Sequence, residues 1–454
     1  MPPAWTLVAL AGWTLFAFAG AYPWTTLPLL PGAFLLVVVV RPSIGRLRQR
    51  TLDFALIACL LVVAFQLLPL PPGMRLALSP HVGAVDRALW VGAPGDPLNG
   101  PGQPLSIDVT ATRGAFALAA AFVCLFWSAR EMVARGGVRT VARGIAWTGL
   151  ALATVALAQH ATAPTLLYWS FPTVFNAPFG PYRNRNDFAS WLIMGIPLTA
   201  GYIAARIQSR RGNPGRPLAE IVDGSAVWLV GSVCLMSAAL LTSLSRSGLI
   251  GAGAALLSFL WLSRARVSRS GRLRLLAAGV LVLAIAMTYV EAGALTGRLE
   301  ETLAIGIGGR QTIWRETWGM TRDFWFTGVG AGAYERGMLV YQQTRSGFTF
   351  NHAHDEYLQL AAEGGWLLSL PAALALIAGA WQIGRQLRAD RTSIFWIRAG
   401  AASGVVAIAV QSVWDTGLRM PANAVLFALL AAVALHESGK ASGEEIRKLR
   451  EVRK

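Results

Sequence analysis

Asn351-His352-Ala353-His354-Asp355-Glu356-Tyr357 sets two of the chain's five histidines beside two adjacent carboxylates, and an apolar segment begins at once at Leu358. An imidazole, with an ordinary pKa of about 6.5, can take a proton from an attacking hydroxyl near neutral pH. Asp355 or Glu356 would be placed to fix the ring tautomer of His354. A second polar cluster, Gly180-Pro181-Tyr182-Arg183-Asn184-Arg185-Asn186-Asp187, precedes another apolar run. Guanidinium forks grip phosphate oxygens in pairs, and the amide of Asn186 adds a neutral donor. For Arg183 the plainer alternative is snorkelling to lipid headgroups. The third cluster is Ser245-Arg246-Ser247-Gly248, where the flanking apolar runs leave almost no loop. Arg246 is thereby fixed at or below a membrane surface, where it needs an anion: a ligand phosphate or a structural ion-pair partner. Arg310 is a weaker candidate for the same work.

These clusters need elements to hold them, and the composition says which. The chain of 454 residues is 54% hydrophobic and 14% charged, with a mean hydropathy of +0.50. Runs such as 52–70, 144–160, 226–241 and 275–290 approach or reach the length that crosses a hydrocarbon core of about 30 Å. The expected fold is all-α: a polytopic membrane protein with about twelve helices and one long periplasmic loop. The expected spans are 5–21, 24–40, 52–70, 112–128, 144–160, 187–205, 225–243, 247–262, 275–291, 357–381, 399–414 and 421–436. Helices 1–9 would occupy residues 1–291, the long loop 292–356, helices 10–12 residues 357–436, and a basic cytoplasmic tail 437–454. The run near the N-terminus lacks a basic leader and is followed directly by another run, so it reads as a retained span.

Charge placement orients the bundle. The segments 41–50, 130–143, 206–216, 264–274 and 385–398, with the tail, hold 27 of the 40 basic residues. The net +17 is thus a one-sided excess, as the positive-inside rule expects of cytoplasmic loops. The high isoelectric point speaks of membrane orientation, and no nucleic-acid partner is expected. Four pieces face the other way: 71–112, 161–186, the turn 243–248, and 292–356. Only the last is expected to carry an amphipathic helix, over 311–326. The three cysteines all lie in apolar runs and imply neither disulfides nor a metal cluster.

Two tempting motifs are set aside. Gly328-Val329-Gly330-Ala331-Gly332 lacks the strand-turn-helix context of a nucleotide loop, so its glycines serve close approach of backbone to backbone or ligand, or a plain turn. His352, His354, Asp355 and Glu356 are metal-ligand types, but no full coordination set is apparent, and no metal or cofactor is expected.

The order GPYRNRNDFA, SLSRSG, GVGAGAY, HAHDEYLQLAAEGGW resembles the O-antigen ligase and polysaccharide polymerase superfamily of bacterial inner membranes, over roughly residues 170–370. In that family a histidine precedes a glycine by a fixed interval, which His354 and Gly365 fit, while Asp355 stands where Asn, Ser or Gln is usual. The resemblance implies a metal-independent glycosyltransferase on the periplasmic face. Its donor would be a glycan on undecaprenyl diphosphate, and its acceptor lipid A-core, another glycan or a protein. His354 would be the catalytic base or an orienting group, with Glu356 beside it and His352, Asp355 and Asn186 in support. Arg185 and Arg246, with Arg183 and Arg310, would hold the diphosphate. The residues alone lead part of the way: bond-making outside the cell has no ATP and needs an activated donor delivered through the membrane. A flippase of lipid-linked sugars is the rival, but flippases carry charged or broken spans near the midplane. Here the polar clusters fall at span ends.

With the three clusters periplasmic, a thiol reagent added outside the cell should label Ala331→Cys and miss Gly212→Cys. The reverse pattern would end the scheme.

Overall fold

The computed structural model describes residues 2–45, 49–90, 102–173, 178–211, 224–274, 276, 277, 279, 281, 307–344, 347 and 349–437. The elements are almost all helical, because a backbone in hydrocarbon must satisfy its polar groups within itself. In order they are α1 (Pro2–Phe16), α2 (Leu29–Val40), α3 (Arg50–Gln66), α4 (Pro72–Leu78), α5 (Val82–Leu89), α6 (Val109–Met132) and α7 (Val138–Thr162). Then follow α8 (Arg185–Arg211), α9 (Gly224–Thr242), α10 (Arg246–Leu262), α11 (Ile307–Asp323), α12 (Tyr334–Tyr341), α13 (Glu356–Ala389), α14 (Ile394–Gln411) and α15 (Pro421–Ala434). A two-residue hairpin, Leu166–Leu167 with Phe171–Pro172, interrupts the segment before α8. Among the described residues, six helical stretches are long and apolar enough to cross a membrane.

Eleven of the expected spans each fall on a described helix, whereas 275–291 lies almost wholly outside the described residues. One expectation fails. Amphipathic helical content is not confined to the long loop, since 71–112 also folds, into α4 and the amphipathic α5. Its apolar side joins a small core with α11 and α12 through Val82, Val85, Met320, Phe324 and Met338. Pro71 and Pro72 start α4 where a missing N–H costs nothing.

The centre of the bundle is the packing of α8 against α14. A Cβ on Gly201 would lie 2.2 Å from the carbonyl oxygen of Trp396, and one on Gly400 2.2 Å from that of Pro197. Small residues are the means by which membrane helices approach closely, since hydrocarbon supplies no hydrophobic drive between them. One end of the bundle is held by buried ion pairs. Arg130 binds both carboxylate oxygens of Asp53 at 2.7 and 3.0 Å, and Arg398 binds Asp390 at 2.8 Å. Both arginines belong to the basic segments, so part of that excess is structural and not solvated.

At the other end, α13 is broken. Gly365 has φ 55° and ψ −160°, a conformation open in practice only to glycine. The segment after α11 lies in the break: Trp366 N donates to Trp325 O at 2.8 Å, Leu367 N to Phe326 O at 3.1 Å, and Gly330 N to Glu363 O at 3.0 Å. Gly328, also at positive φ, packs directly on the Glu363 backbone. The glycine-rich motif is therefore a backbone-to-backbone contact. Ala331 within it is only 7% exposed, so the external labelling probe belongs on the exposed Arg336 instead, and Gly212 lies outside the described residues.

A Cβ on Gly365 would stand 2.4 Å from the carbonyl carbon and oxygen of Phe326. Gly365→Ala should lower unfolding stability in detergent by on the order of 3 kcal/mol, from strain and clash together. Gly379→Ala on the same helix, where a Cβ meets nothing within 4 Å, should be neutral or slightly stabilising. Equal stabilities for the two variants would show that the break is not fixed by this glycine.

Candidate active site

The broken end of α13 gathers the polar residues. Asp355 caps the helix, its Oδ1 accepting from Tyr357 N and Leu358 N at 3.0 Å each. Burial nevertheless holds its carboxyl above the usual range, against the pull of those two N–H donors. Glu356 starts the helix, its N donating to Ser412 O at 2.8 Å and its Oε1 lying 3.2 Å from Arg419 Nε. Both carboxylates are thus engaged elsewhere, and neither fixes the His354 ring as expected. The carboxylate facing that ring is Asp415, whose Oδ1 lies 4.0 Å from His354 Nδ1. His354 adopts φ 52°, the left-handed region that non-glycine residues seldom occupy.

Asp415 also joins the other motifs to this loop. Its Oδ2 accepts from Ser247 Oγ at 3.2 Å, and Gln411 Nε2 donates to the same serine at 3.2 Å. Ser245, the N-cap of α10, donates through Oγ to Asn186 Oδ1 at 2.9 Å and accepts from Gly248 N at 3.2 Å. A chain of contacts therefore runs from Asn186 through Ser245, Ser247 and Asp415 to His354, joining three motifs well separated in the sequence. Leu244 at φ 51° makes the turn from α9 to α10 tight enough to bring both serines inward. Arg246 lies between them with its side chain on the exposed side of α10.

The predicted residues do not all sit in the chain of contacts. Asn186 is a member. Arg185, half-buried, opens α8 one residue before it, and Arg183 is exposed two residues earlier. Arg310 lies near the start of α11, one turn before Trp314, whose Nε1 donates to Ala353 O at 3.0 Å. His352 is on the inner side of the loop, 3.4 Å from Gln359 Nε2. Burial pushes His352 down to about 4, with the charges of Arg419 and His354 adding to the effect, so its ring is neutral near pH 7.

Sequence reasoning missed a second network just beneath. Arg419 Nη1 donates to both oxygens of Glu363 at 2.8 and 3.0 Å, and Glu363 also accepts from Gln359 Nε2 and Gly332 N, each at 3.0 Å. Burial works against the charge on Arg419, but Glu356 and Glu363 outweigh it and hold its pKa above the ordinary arginine value. Gln66, at the end of α3, donates to Thr327 O at 2.8 Å and Glu363 O at 2.9 Å and accepts from Ala331 N at 3.0 Å. The signal for Asp415 and Arg419 was present: they are lone charges in a six-residue connection between two apolar runs, the pattern that drew attention to Arg246. Among the described residues no group of three or more His, Cys, Asp or Glu side chains is placed to hold a metal ion.

A multi-pass helical membrane protein with a histidine, paired carboxylates and arginines at one end of its bundle is the class that fold and site define. Residues 231–373 match the O-antigen ligase family, which bears out the resemblance to the O-antigen ligase and polysaccharide polymerase superfamily and indicates a membrane glycosyltransferase of the O-antigen ligase type. The match takes in the Ser245–Gly248 turn and the His352–Glu363 segment, and leaves Asn186, Asp415 and Arg419 to the structure. No curated protein matches the chain significantly.

Arg419→Met would leave Glu363, whose side chain is 5% exposed, without its cation. Breaking a buried pair from one side costs on the order of 3 kcal/mol, while removing both charges costs much less. Unfolding in detergent should show Arg419→Met well below wild type, with Arg419→Met/Glu356→Gln/Glu363→Gln, which removes both carboxylates that Arg419 serves, recovering at least half the loss. A triple variant no better than the single one would mean that these ion pairs are not what holds this corner.

Proposed function

We propose that the protein transfers a glycan from an undecaprenyl-diphosphate donor to an acceptor hydroxyl on the periplasmic face of the bacterial inner membrane, without a metal ion. The observation that carries this reading is the contact chain from Asn186 to His354. It holds one proton-accepting ring and the flanking arginines at the same end of the bundle.

His354 accepts the proton of the acceptor hydroxyl through Nε2, because Nδ1 faces Asp415. As the oxygen attacks the anomeric carbon, a new C–O bond forms, the bond from that carbon to the diphosphate breaks, and undecaprenyl diphosphate departs. Asp415 stabilises the imidazolium that results, as a buried carboxylate behind a catalytic histidine does. Arg185 and Arg246, with Arg183 and Arg310 at the rim, take the charge that builds on the diphosphate, so no general acid is needed on that side. Glu356 acts through Arg419 and is better placed to fix the loop than to exchange protons. The acceptor is a hydroxyl of lipid A-core, a growing glycan or a protein. Among the described residues the buried Gln411 Oε1 and Ser412 Oγ make no hydrogen bond, as suits groups that meet a polar substrate.

With purified enzyme and a synthetic lipid-diphosphate glycan donor, His354→Gln should lose turnover by at least about a hundredfold while still binding the lipid diphosphate. Arg246→Lys should lose turnover and donor affinity together, because an ammonium cannot reproduce the bidentate fork. Asp415→Asn should lower kcat with little change in KM. Near-normal turnover in His354→Gln would remove the base from the scheme, and unchanged donor affinity in Arg246→Lys would remove the diphosphate grip.

A further inference from the structure

The stripe that α11 turns outward takes no part in this site. Gln311, Arg315, Trp318 and Arg322, with Trp325 just past the helix end, recur every three or four residues and are all exposed. The opposite side, Ile313, Thr317, Met320 and Phe324, is buried, with Thr317 Oγ1 2.6 Å from Tyr334 Oη of α12. The two indoles are therefore not core residues: Trp318 is 63% exposed and Trp325 56%. Arg322 lies 3.5 Å from the adjacent Asp323, an exposed pair of little strength. α13 shows where lipid begins. Trp366, Leu370, Leu374, Ile377 and Trp381 form an exposed apolar stripe along it, with an indole at each end. At about 1.5 Å per residue those indoles stand about 22 Å apart, as suits side chains at the two interfaces of a bilayer. Trp366 N donates to Trp325 O at 2.8 Å, so Trp325 stands at the level where the stripe ends, on the side of the candidate active site.

We propose that α11 lies along the phospholipid leaflet at the candidate-site end, with Trp318 and Trp325 sunk among the headgroups and Arg315 and Arg322 reaching to their phosphates. Two observations select this occupant. The outward stripe is continuous, through Trp325 and Trp366, with the lipid-facing stripe of α13. It also alternates indoles with guanidiniums, and an interface of apolar chain ends and anionic phosphates answers both. The helix is tied to the histidine loop, since Trp314 Nε1 donates to Ala353 O at 3.0 Å. A helix resting on the leaflet would thus set the height of His354 above the phosphate plane, a consequence that rests on the function proposed above, whereas the docking itself does not.

The test is spin-label accessibility in the full-length protein, with Cys59, Cys124 and Cys234 replaced by alanine, in nanodiscs of phosphatidylethanolamine and phosphatidylglycerol. Labels are placed singly at Trp318→Cys, at Arg322→Cys, which keeps both indoles, and at Trp366→Cys as the lipid-facing reference. The readout is the ratio of collisions with oxygen, which concentrates in lipid, to collisions with a water-soluble nickel chelate. At Trp318 the ratio should exceed that of the free label in buffer at least fivefold and come within about threefold of the Trp366 value, with Arg322 above the free label. Free-label ratios at both Trp318 and Arg322, with Trp366 still lipid-like, would overturn the proposal. Protection of Trp318 from nickel only on adding soluble polysaccharide would assign the stripe to glycan and overturn it equally. Glycosyl transfer is not read here, so this result and the fate of the proposed reaction are separable.

Discussion

Glu363 is the group on which the rest of this end of the molecule depends. A carboxylate this buried is tolerated only when its oxygens are fully engaged. It meets that demand by drawing four separate elements to one point: Arg419 from the α14–α15 connection, Gln359 from its own helix, the Gly332 N–H from the glycine-rich turn, and through its carbonyl the Gln66 amide of α3. Gln359 then accepts from Ala353 N at 2.9 Å, which sets the loop that holds both histidines. The break at Gly365 serves the same end, because an unbroken helix would leave no room for the glycine-rich segment to reach Glu363. The position of His354 is thus fixed by a network with no histidine chemistry in it.

Much of this was legible in the residues. Apolar runs announced the helices because hydrocarbon leaves few alternatives, and Asn186, Ser245 and the histidine loop announced themselves as polar groups at span ends. What sequence could not supply was pairing across distance. Asp355 and Glu356 are the nearest carboxylates to His354 in the chain, yet one caps a helix and the other binds Arg419, while the carboxylate facing the ring is Asp415, sixty-one residues on. Adjacency in sequence misleads here for a geometric reason. The residue after a loop becomes the cap of the next helix and is used up by orphan N–H groups. Gly328 and Gly330 gave a vaguer signal: close approach was readable, the partner backbone was not.

The arginines divide by environment in a way that composition conceals. At one end, Arg130 and Arg398 are buried against Asp53 and Asp390 and act as struts. At the other, Arg183, Arg185 and Arg246 sit at the rim, half-buried or exposed. Arg419 lies between these extremes, a part-buried cation shared by two carboxylates close to the His354 loop. One residue type therefore does three kinds of work, and only the surroundings of each guanidinium distinguish them.

The left-handed backbone at His354 has an implication for how this position can vary. Glycine or asparagine would sit there at lower conformational cost, since a β-carbon at such angles is disfavoured by roughly 1 kcal/mol or more. Drift towards folding stability alone would replace the histidine. In the role proposed for His354, thermostability and side-chain chemistry pull in opposite directions, so a library selected only for robustness should enrich the very substitutions that empty this loop of its imidazole.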